Sequence, residues 1–268
     1  MKKRILLLLL VMTLAVSAFS LYSCVNKKDG SSGADTTKEN AATTDSSSET
    51  VESSKGTPAV VTKHKYGDFD YWLSSPDTTD DDLPLIVYLH DESDGGAGID
   101  AMIKNEGLTK MLYEGGLHPN AYVLIPNLSK TEKSWYDVKY QLETLISYVC
   151  SSNSIDSSKI YLTGVGSGAT GVYEIALSMP TAFTAFAPVG GVAPNNADIE
   201  KLKDVKIVTY VSVNIEDPAS AAITDFMFEL GKINKSVEIF ALEGYNASNY
   251  VKLYSDMEYN LLETLIGY

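Results

Sequence analysis

Residues 159–171 read KIYLTGVGSGATG, and this stretch decides the fold. The β-branched and aromatic residues at 160–163 predict a short strand, and the glycines after them predict a tight turn. Apolar residues at helical spacing then run from Val172 to Met179, until Pro180 ends the pattern. The stretch therefore predicts a strand, a sharp turn and a helix.

The rest of the chain from residue 62 onward repeats this alternation. Strand patterns lie at 65–73, 85–89, 121–126, 160–163, 184–189, 206–213 and 237–242, and amphipathic helical patterns at 99–113, 138–150, 168–179, 219–233 and 251–266. Strands that are apolar on both faces and alternate with helices indicate a mostly parallel sheet covered on both sides. The chain is too short for a large lid, so we expect any cleft to be open.

Several segments resemble one known family, among them GLHPNAYVLIPN (116–127) with Ser134 and Trp135, and four of them carry the site. The segment KIYLTGVGSGATGVYEIALSMPTAFTAFAPVGG (159–191) resembles the nucleophile elbow of the esterase branch of the α/β-hydrolases, the group of polyhydroxybutyrate depolymerases and feruloyl esterases. The other three resemble the loop that forms half of the oxyanion hole, the strand and turn of the triad acid, and the loop of the triad histidine: LPLIVYLHDESDGGAG (83–98), KIVTYVSVNIEDPAS (206–220) and VEIFALEGYNASNY (237–250). The resemblance implies an α/β-hydrolase-like three-layer sandwich.

The elbow departs from the family pattern G-x-S-x-G. Gly164 and Gly168 match the flanking glycines, but Gly166 stands where the family has its nucleophilic serine. Ser167 follows, at the position whose backbone N–H would complete the oxyanion hole. Either Ser167 has taken over as the nucleophile, or it caps the helix that begins there; we favour the cap, because a one-residue slip turns the side chain by about 100°.

The resemblance also locates the acid and the base. Asp217 stands at the position of the triad aspartate, and Tyr245 stands where the family has its histidine. A tyrosine with a pKa near 10 cannot take a proton from serine at neutral pH as imidazole does. No histidine follows His118, so the chain retains one triad member of three. We expect no intact catalytic triad.

The loop after the second predicted strand also differs from the family. His90 is retained, but Asp91 replaces the following glycine, and Glu92 and Asp94 add further negative charge. Acids beside an oxyanion hole oppose the anion that the hole should stabilise. We expect His90 to be a packed residue that orients the loop. Whether the acidic residues 91–94 bind a cation is left open, because they lack the spacing of a known calcium loop.

The N-terminal residues predict export and lipid anchoring. Residues 1–23 carry three basic residues and then an apolar run, which is typical of a signal peptide. Residues 21–24 read LYSC, which resembles a bacterial lipobox, so we expect Cys24 to be lipidated and the protein to lie outside the cytoplasm on the bacterial membrane. Residues 24–61 are polar and rich in Ser and Thr, and predict a disordered linker to a domain at 62–268.

Composition excludes several classes of function. The net charge is −14, and removal of the three basic residues of the leader takes it to −17, which disfavours nucleic acid as a partner. The two cysteines supply fewer soft ligands than a zinc or iron–sulfur site needs, and we expect no metal and no cofactor.

These observations favour a non-catalytic protein that acts as a binding or scaffold module. Its cleft would be lined by aromatic and hydrogen-bonding side chains suited to a saccharide, a peptide or a protein: His90, Trp135, Ser167, Asp217 and Tyr245. One alternative is a carboxylic-ester hydrolase that acts on cell-wall polysaccharide esters or small acyl esters through Ser167. Another is an assembly protein without a small-molecule ligand.

Overall fold

The computed structural model describes residues 60–78, 80–95, 98–105, 107–128, 134–194, 199–214, 216–256 and 258–267. The predicted signal peptide, Cys24 and all of the predicted linker except residues 60 and 61 lie outside these residues. Within the described part of the chain, no helix is long and apolar enough to cross a membrane.

One eight-stranded sheet organises the domain, with the strand order β1-β2-β4-β3-β5-β6-β7-β8. Strands β1 and β2 pair antiparallel and β2 is antiparallel to β4, whereas β3 to β8 are parallel. The strands are β1 (Val60–Tyr66), β2 (Phe69–Ser75), β3 (Leu83–Leu89), β4 (Tyr122–Pro126), β5 (Ile155–Val165), β6 (Ala185–Val189), β7 (Ile207–Ser212) and β8 (Val237–Leu242).

Helices connect the strands and cover the sheet. The α-helices are α1 (Glu92–Gly95), α2 (Leu108–Tyr113), α3 (Lys139–Ser152), α4 (Ser167–Ser178), α5 (Pro218–Ile233) and α6 (Leu261–Ile266). Within the described residues, three 3₁₀ segments lie at Ile99–Ala101, Ile199–Leu202 and Tyr250–Ser255.

Two hydrophobic clusters lie on opposite faces of the sheet. Along β3, Leu85, Val87 and Leu89 belong to the cluster that includes α3, α4 and α5, while Ile86 and Tyr88 belong to the cluster of α2 and α6. This alternation follows from the two-residue period of a strand. It confirms the predicted three layers, a mostly parallel sheet between two layers of helices.

The N-terminal strands differ from the sequence-based expectation. The single strand predicted at 65–73 is a hairpin, because Gly67 adopts a φ of 57° and reverses the chain between β1 and β2. Residues 60 and 61, which the sequence places in the linker, are the first two residues of β1.

The helical patterns at 99–113 and 251–266 are each interrupted. Gly107, with a φ of 152°, precedes α2, and Asn260, with a φ of 42°, precedes α6. A positive φ cannot continue a right-handed helix. The apolar spacing is therefore kept while the helix is broken.

Candidate functional site

The predicted sharp turn lies between β5 and α4. Val165 ends the strand, Ser167 begins the helix, and Gly166 between them has φ 58° and ψ −121°. This conformation is accessible to glycine and strained for other residues. Gly166 is therefore the residue that the turn presents at the carboxyl edge of the sheet, which is the position of the nucleophile in a nucleophile elbow.

The two flanking glycines let the helix begin in contact with the sheet. A Cβ on Gly164 would lie 2.8 Å from the carbonyl oxygen of Leu89, and one on Gly168 would collide with the same carbonyl and lie 2.6 Å from its carbon. Neither position has room for a side chain. The spacing of glycines in the elbow is thus required by the close approach of α4 to the end of β3.

The carboxylate of Asp91 occupies the space beside Gly166. A Cβ built on Gly166 would fall on Asp91 Oδ2 and lie 2.8 Å from Cγ. Oδ2 accepts a hydrogen bond from the backbone N–H of Ser167 at 2.8 Å. Oδ1 accepts from the backbone N–H of Ser93 at 3.0 Å and from its hydroxyl at 2.8 Å. One carboxylate therefore caps the N-termini of both α1 and α4.

These contacts favour the ionised form of Asp91. Burial on its own would raise the pKa of this carboxyl, but the hydrogen bonds from Ser167 and Ser93 together outweigh burial and lower the pKa below its ordinary value. The positive end of the α4 dipole acts in the same direction. At neutral pH, the ionised carboxylate of Asp91 therefore binds the backbone N–H that the family resemblance assigns to an oxyanion hole.

Ser167 binds the loop and does not cap its own helix. Its hydroxyl accepts a hydrogen bond from the backbone N–H of Glu92 at 2.7 Å. The N-cap residue of α4 is Gly166, which has no side chain with which to cap the helix. The expectation that Ser167 is a helix cap is therefore wrong, because Asp91 already holds the first N–H of the helix. Ser167 and the loop 91–93 hold each other through reciprocal hydrogen bonds.

His90 lies beneath this contact with both ring nitrogens engaged. Nδ1 is 2.7 Å from the carbonyl oxygen of Asp91, and Nε2 accepts from the backbone N–H of Leu128 at 3.0 Å. These partners assign the proton to Nδ1. The ring is 1% exposed, and burial lowers its pKa, although its bond to Asp91 acts in the opposite direction. His90 thus orients the loop as a neutral, buried side chain.

Trp135 belongs to the core and not to a cleft wall. It is 1% exposed, its indole N–H donates to the carbonyl of His90 at 3.1 Å, and its ring meets the His90 ring edge-on at 5.1 Å. Its Cβ also lies so close to Gly171 that a methyl group there would come within 2.5 Å. The prediction that His90 and Trp135 line a cleft is corrected by this burial, which leaves neither side chain open to a ligand.

Asp217 and Tyr245 make their contacts elsewhere. Asp217 is the N-cap of α5 and accepts from the N–H groups of Ala219 and Ser220. The Ser220 hydroxyl donates to the same carboxylate at 2.7 Å and is the main cause of its lowered pKa. The Tyr245 hydroxyl donates to Asp256. Burial, and then this bond to Asp256, raise the pKa of Tyr245. No described hydrogen bond joins either residue to the turn.

The other two histidines are also remote from the turn. His118 Nε2 lies 2.9 Å from the carbonyl oxygen of Gly115, and His64 Nε2 lies 2.7 Å from the hydroxyl of Thr62. No described hydrogen bond brings an imidazole to Ser167. Among the described residues, no group of three or more His, Cys, Asp or Glu side chains could hold a metal ion.

Tyr250 is a residue of this edge that the sequence did not reveal. Its hydroxyl accepts from the backbone N–H of Ser212, the last residue of β7, at 3.0 Å. Its ring would meet a Cβ on Gly190, which follows β6 and has a φ of 64°. The glycine pair at 190–191 was the available signal, because adjacent glycines after a strand indicate that another group approaches closely.

Solved structures provide the comparison, since no family model and no curated protein matches the chain in sequence. A thermostable esterase superposes with a TM-score of 0.62 at 20% identity, over 77% of this chain and 63% of that one. This chain therefore spans less than two thirds of the length of that esterase. The feruloyl esterase module from Clostridium thermocellum, solved with sinapinate, superposes with a TM-score of 0.55 at 12% identity, over 76% of this chain and 92% of that one. A fluorophosphonate-binding serine hydrolase from Staphylococcus aureus superposes with a TM-score of 0.56 at 13% identity, over 78% of this chain and 99% of that one.

The fold is that of the α/β-hydrolases. The structures that it resembles are esterases and related hydrolases, in agreement with the resemblance read from residues 159–191. At these identities the likeness extends to the fold alone. The chemistry of this chain has to be argued from its own turn.

Proposed function

We propose that this protein is a non-catalytic member of the α/β-hydrolase fold that serves as a binding or scaffold module. The observation that carries the proposal is the position of the Asp91 carboxylate, which fills the space beside Gly166 and holds the N–H of Ser167. Three requirements of ester hydrolysis bear on this proposal.

The first requirement is a nucleophile at the turn. Gly166 has no side chain, and any side chain there would overlap Asp91. Ser167, the neighbouring hydroxyl, is engaged with the N–H of Glu92 and has no imidazole partner among the described hydrogen bonds. Without a base to remove its proton, a serine hydroxyl is a weak nucleophile.

The second requirement is stabilisation of a developing oxyanion. Backbone N–H donors contribute to catalysis when they point to the place where negative charge appears. Here the N–H of Ser167 already binds a carboxylate with a lowered pKa. An incoming carbonyl would have to displace a charge-assisted hydrogen bond and then develop its own negative charge beside Asp91.

The third requirement is a base backed by an acid. His90 is buried and neutral beneath the loop, and Asp217 caps α5. In enzymes of this mechanism, loss of the serine or the histidine alone lowers kcat by about 10⁶. The arrangement supports a protein that retains the fold without the reaction.

We further propose that Cys24 carries a lipid that anchors the protein outside the cytoplasm, with residues 24–59 as the tether. At the scaling of flexible chains, a tether of this length reaches about 30 Å on average. The domain could then meet partners beyond the lipid surface. Metabolic labelling with a clickable fatty acid tests the anchor: wild type should be labelled, and Cys24→Ala should not.

The second candidate function is ester hydrolysis through Ser167. The esterases among the structural relatives favour it. Hydrolysis of p-nitrophenyl acetate separates the two candidates, with Ser167→Ala and the matched variant Ser93→Ala as controls. If the protein is non-catalytic, wild type and both variants should show the same low background of hydrolysis. Turnover that disappears in Ser167→Ala and persists in Ser93→Ala would establish the esterase and contradict our proposal.

A further inference from the structure

Strand β8 is a free edge of the sheet. It stands at one end of the strand order and, among the described strands, pairs with β7 alone. The carbonyl oxygens of Ser236 and Leu242 accept backbone hydrogen bonds from the β7 side at 3.3 and 3.1 Å. Because backbone groups alternate in direction along a strand, those of Val237, Ile239 and Ala241 point away from β7. No hydrogen bond within the described part of the chain reaches these outward groups.

The strand at the other end of the sheet is protected against pairing, whereas β8 is not. Strand β1 carries Lys63 and Lys65, and charges of this kind hinder an edge strand from pairing with another chain. Strand β8 carries a single charge, Glu238, in an otherwise apolar sequence. Glu238, Ile239 and Ala241 are exposed, and Ile239 retains 41% of its surface. Strand β8 therefore offers an exposed, mostly apolar edge to another strand.

Helix α5 adds apolar surface beside this edge. Helix α4 covers β5 and β6, whereas α5 covers β7 and β8. Phe226 of α5 contacts Tyr173 of α4, with ring centroids 5.9 Å apart. Phe228 lies two residues further on and therefore about 200° around the helix, on the side away from α4 and towards the free edge. Its ring is 40% exposed. Ile239 lies on the same face of the sheet, because Val237, two residues before it, packs against the cluster that includes α5.

The charges on β8 select one way for a second copy of this strand to pair with it. Three antiparallel registers are centred near the middle of the strand, with Glu238, Ile239 or Phe240 opposite itself. The first register places two glutamates face to face, which is destabilising. The second brings Lys235, which precedes the strand, opposite Glu243, which follows it, at both ends of the pair. The third gives Lys235 no directly opposite acid. Charge complementarity therefore favours the register centred on Ile239.

We propose that two copies of this protein associate through β8 as a symmetric antiparallel pair centred on Ile239. The two Ile239 residues exchange both of their outward backbone hydrogen bonds, as directly opposed residues do in an antiparallel ladder. The two-fold symmetry places both α5 helices on the same face of the joined sheet, with their Phe228 rings beside the junction. Strand β1, at the opposite end of the strand order, stays outside the interface. This inference goes beyond the proposed function and holds whether or not Ser167 is reactive.

Sedimentation velocity of the full-length protein, in mild detergent and at physiological salt, tests the inference over a range of protein concentrations. Wild type should form a dimer that dissociates on dilution through the micromolar range. Ile239→Lys should weaken association about tenfold, because it places two like charges directly opposite each other. The matched variant Val60→Lys puts a lysine at an exposed apolar position of the other edge strand and should associate as wild type does.

Exchange of the two end charges tests the register. Lys235→Glu should weaken association about fivefold, because the change acts at both ends of the pair, and Lys235→Glu with Glu243→Lys should restore it. Lys104→Glu makes the same change of net charge at an exposed position near the 3₁₀ segment at Ile99–Ala101 and should have no effect.

The outcomes separate this inference from the proposed function. A protein that stays monomeric at every concentration, equal loss of association in Ile239→Lys and Val60→Lys, equal loss in Lys235→Glu and Lys104→Glu, or a charge exchange that fails to restore association would each overturn the β8 dimer. Hydrolysis of p-nitrophenyl acetate by a dimeric wild type, abolished by Ser167→Ala, would remove the non-catalytic role and leave the dimer in place.

Discussion

Substitution of Asp91 by alanine should destabilise the protein by about 2 kcal/mol. The carboxylate accepts the N–H of Ser167 at the start of α4 and the N–H of Ser93 in α1. Loss of an N-terminal helix cap costs about 1 kcal/mol for each helix. The third bond, from the exposed hydroxyl of Ser93, adds little because water can replace the carboxylate there.

Urea unfolding at pH 7 measures this difference. For a slope near 2 kcal/mol per molar, 2 kcal/mol corresponds to a shift of the midpoint by about 1 M. Asp217→Ala is the matched control, because Asp217 caps α5 alone and its loss should cost about half as much. Asp91→Asn keeps one acceptor oxygen and should fall between wild type and Asp91→Ala.

The pH dependence of the Asp91 effect follows from its pKa. The folded state lowers this pKa, so the carboxylate adds stability above the ordinary pKa near 4 and loses that stability as the pH falls through the lowered value. The gap between wild type and Asp91→Asn should therefore be full at pH 7 and shrink at acid pH. An Asp91→Ala midpoint equal to or above that of wild type would refute our reasoning. That result is expected of a residue held in an unfavourable position for catalysis, whose replacement raises the stability of the protein.

Other substitutions at the turn should have separable effects. Gly166→Ser should lower the free energy of unfolding by at least about 2 kcal/mol, because its Cβ meets the Asp91 carboxylate at a φ of 58°. In urea unfolding, Asp91→Gly should then cost less in the Gly166→Ser protein than in wild type, because it also removes the clash, and an equal cost in both would contradict the steric explanation. Gly168→Ala should lower the free energy of unfolding by more than about 3 kcal/mol or prevent folding, because its Cβ collides with the carbonyl of Leu89. An unchanged melting temperature would show that α4 is packed differently. Ser167→Ala should lower the free energy of unfolding by about 1 kcal/mol, because the backbone N–H of Glu92 loses its acceptor. Thermal unfolding followed by circular dichroism measures this loss, and an unchanged melting temperature would contradict it.

The fold was predictable because its determinants are local. Short apolar runs rich in β-branched residues, such as 85–89 and 207–211, favour strands buried on both faces, and the glycines around residue 166 mark the turn. The positive φ of Gly67, Gly107 and Asn260 was not visible in the apolar pattern, so one hairpin and two helix interruptions were missed.

The site was only partly predictable because its contacts join distant parts of the chain. The absence of serine at 166 and of histidine after 118 can be read directly. The bond from Ser167 to Asp91 spans 76 positions, and the sequence revealed only that acids lie near the turn. Burial of Trp135 under the loop is likewise a tertiary effect. The residue types therefore predicted which catalytic groups are missing, whereas tertiary packing determined where the remaining side chains lie.

Intact-mass spectrometry after exposure to a fluorophosphonate tests the central claim most directly. The claim is that the Asp91 carboxylate closes the turn and that no base activates Ser167. The account predicts that wild-type protein keeps its unmodified mass, while an active serine hydrolase treated in parallel gains one phosphonyl group. A stoichiometric adduct that maps to Ser167 and disappears in Ser167→Ala would contradict it.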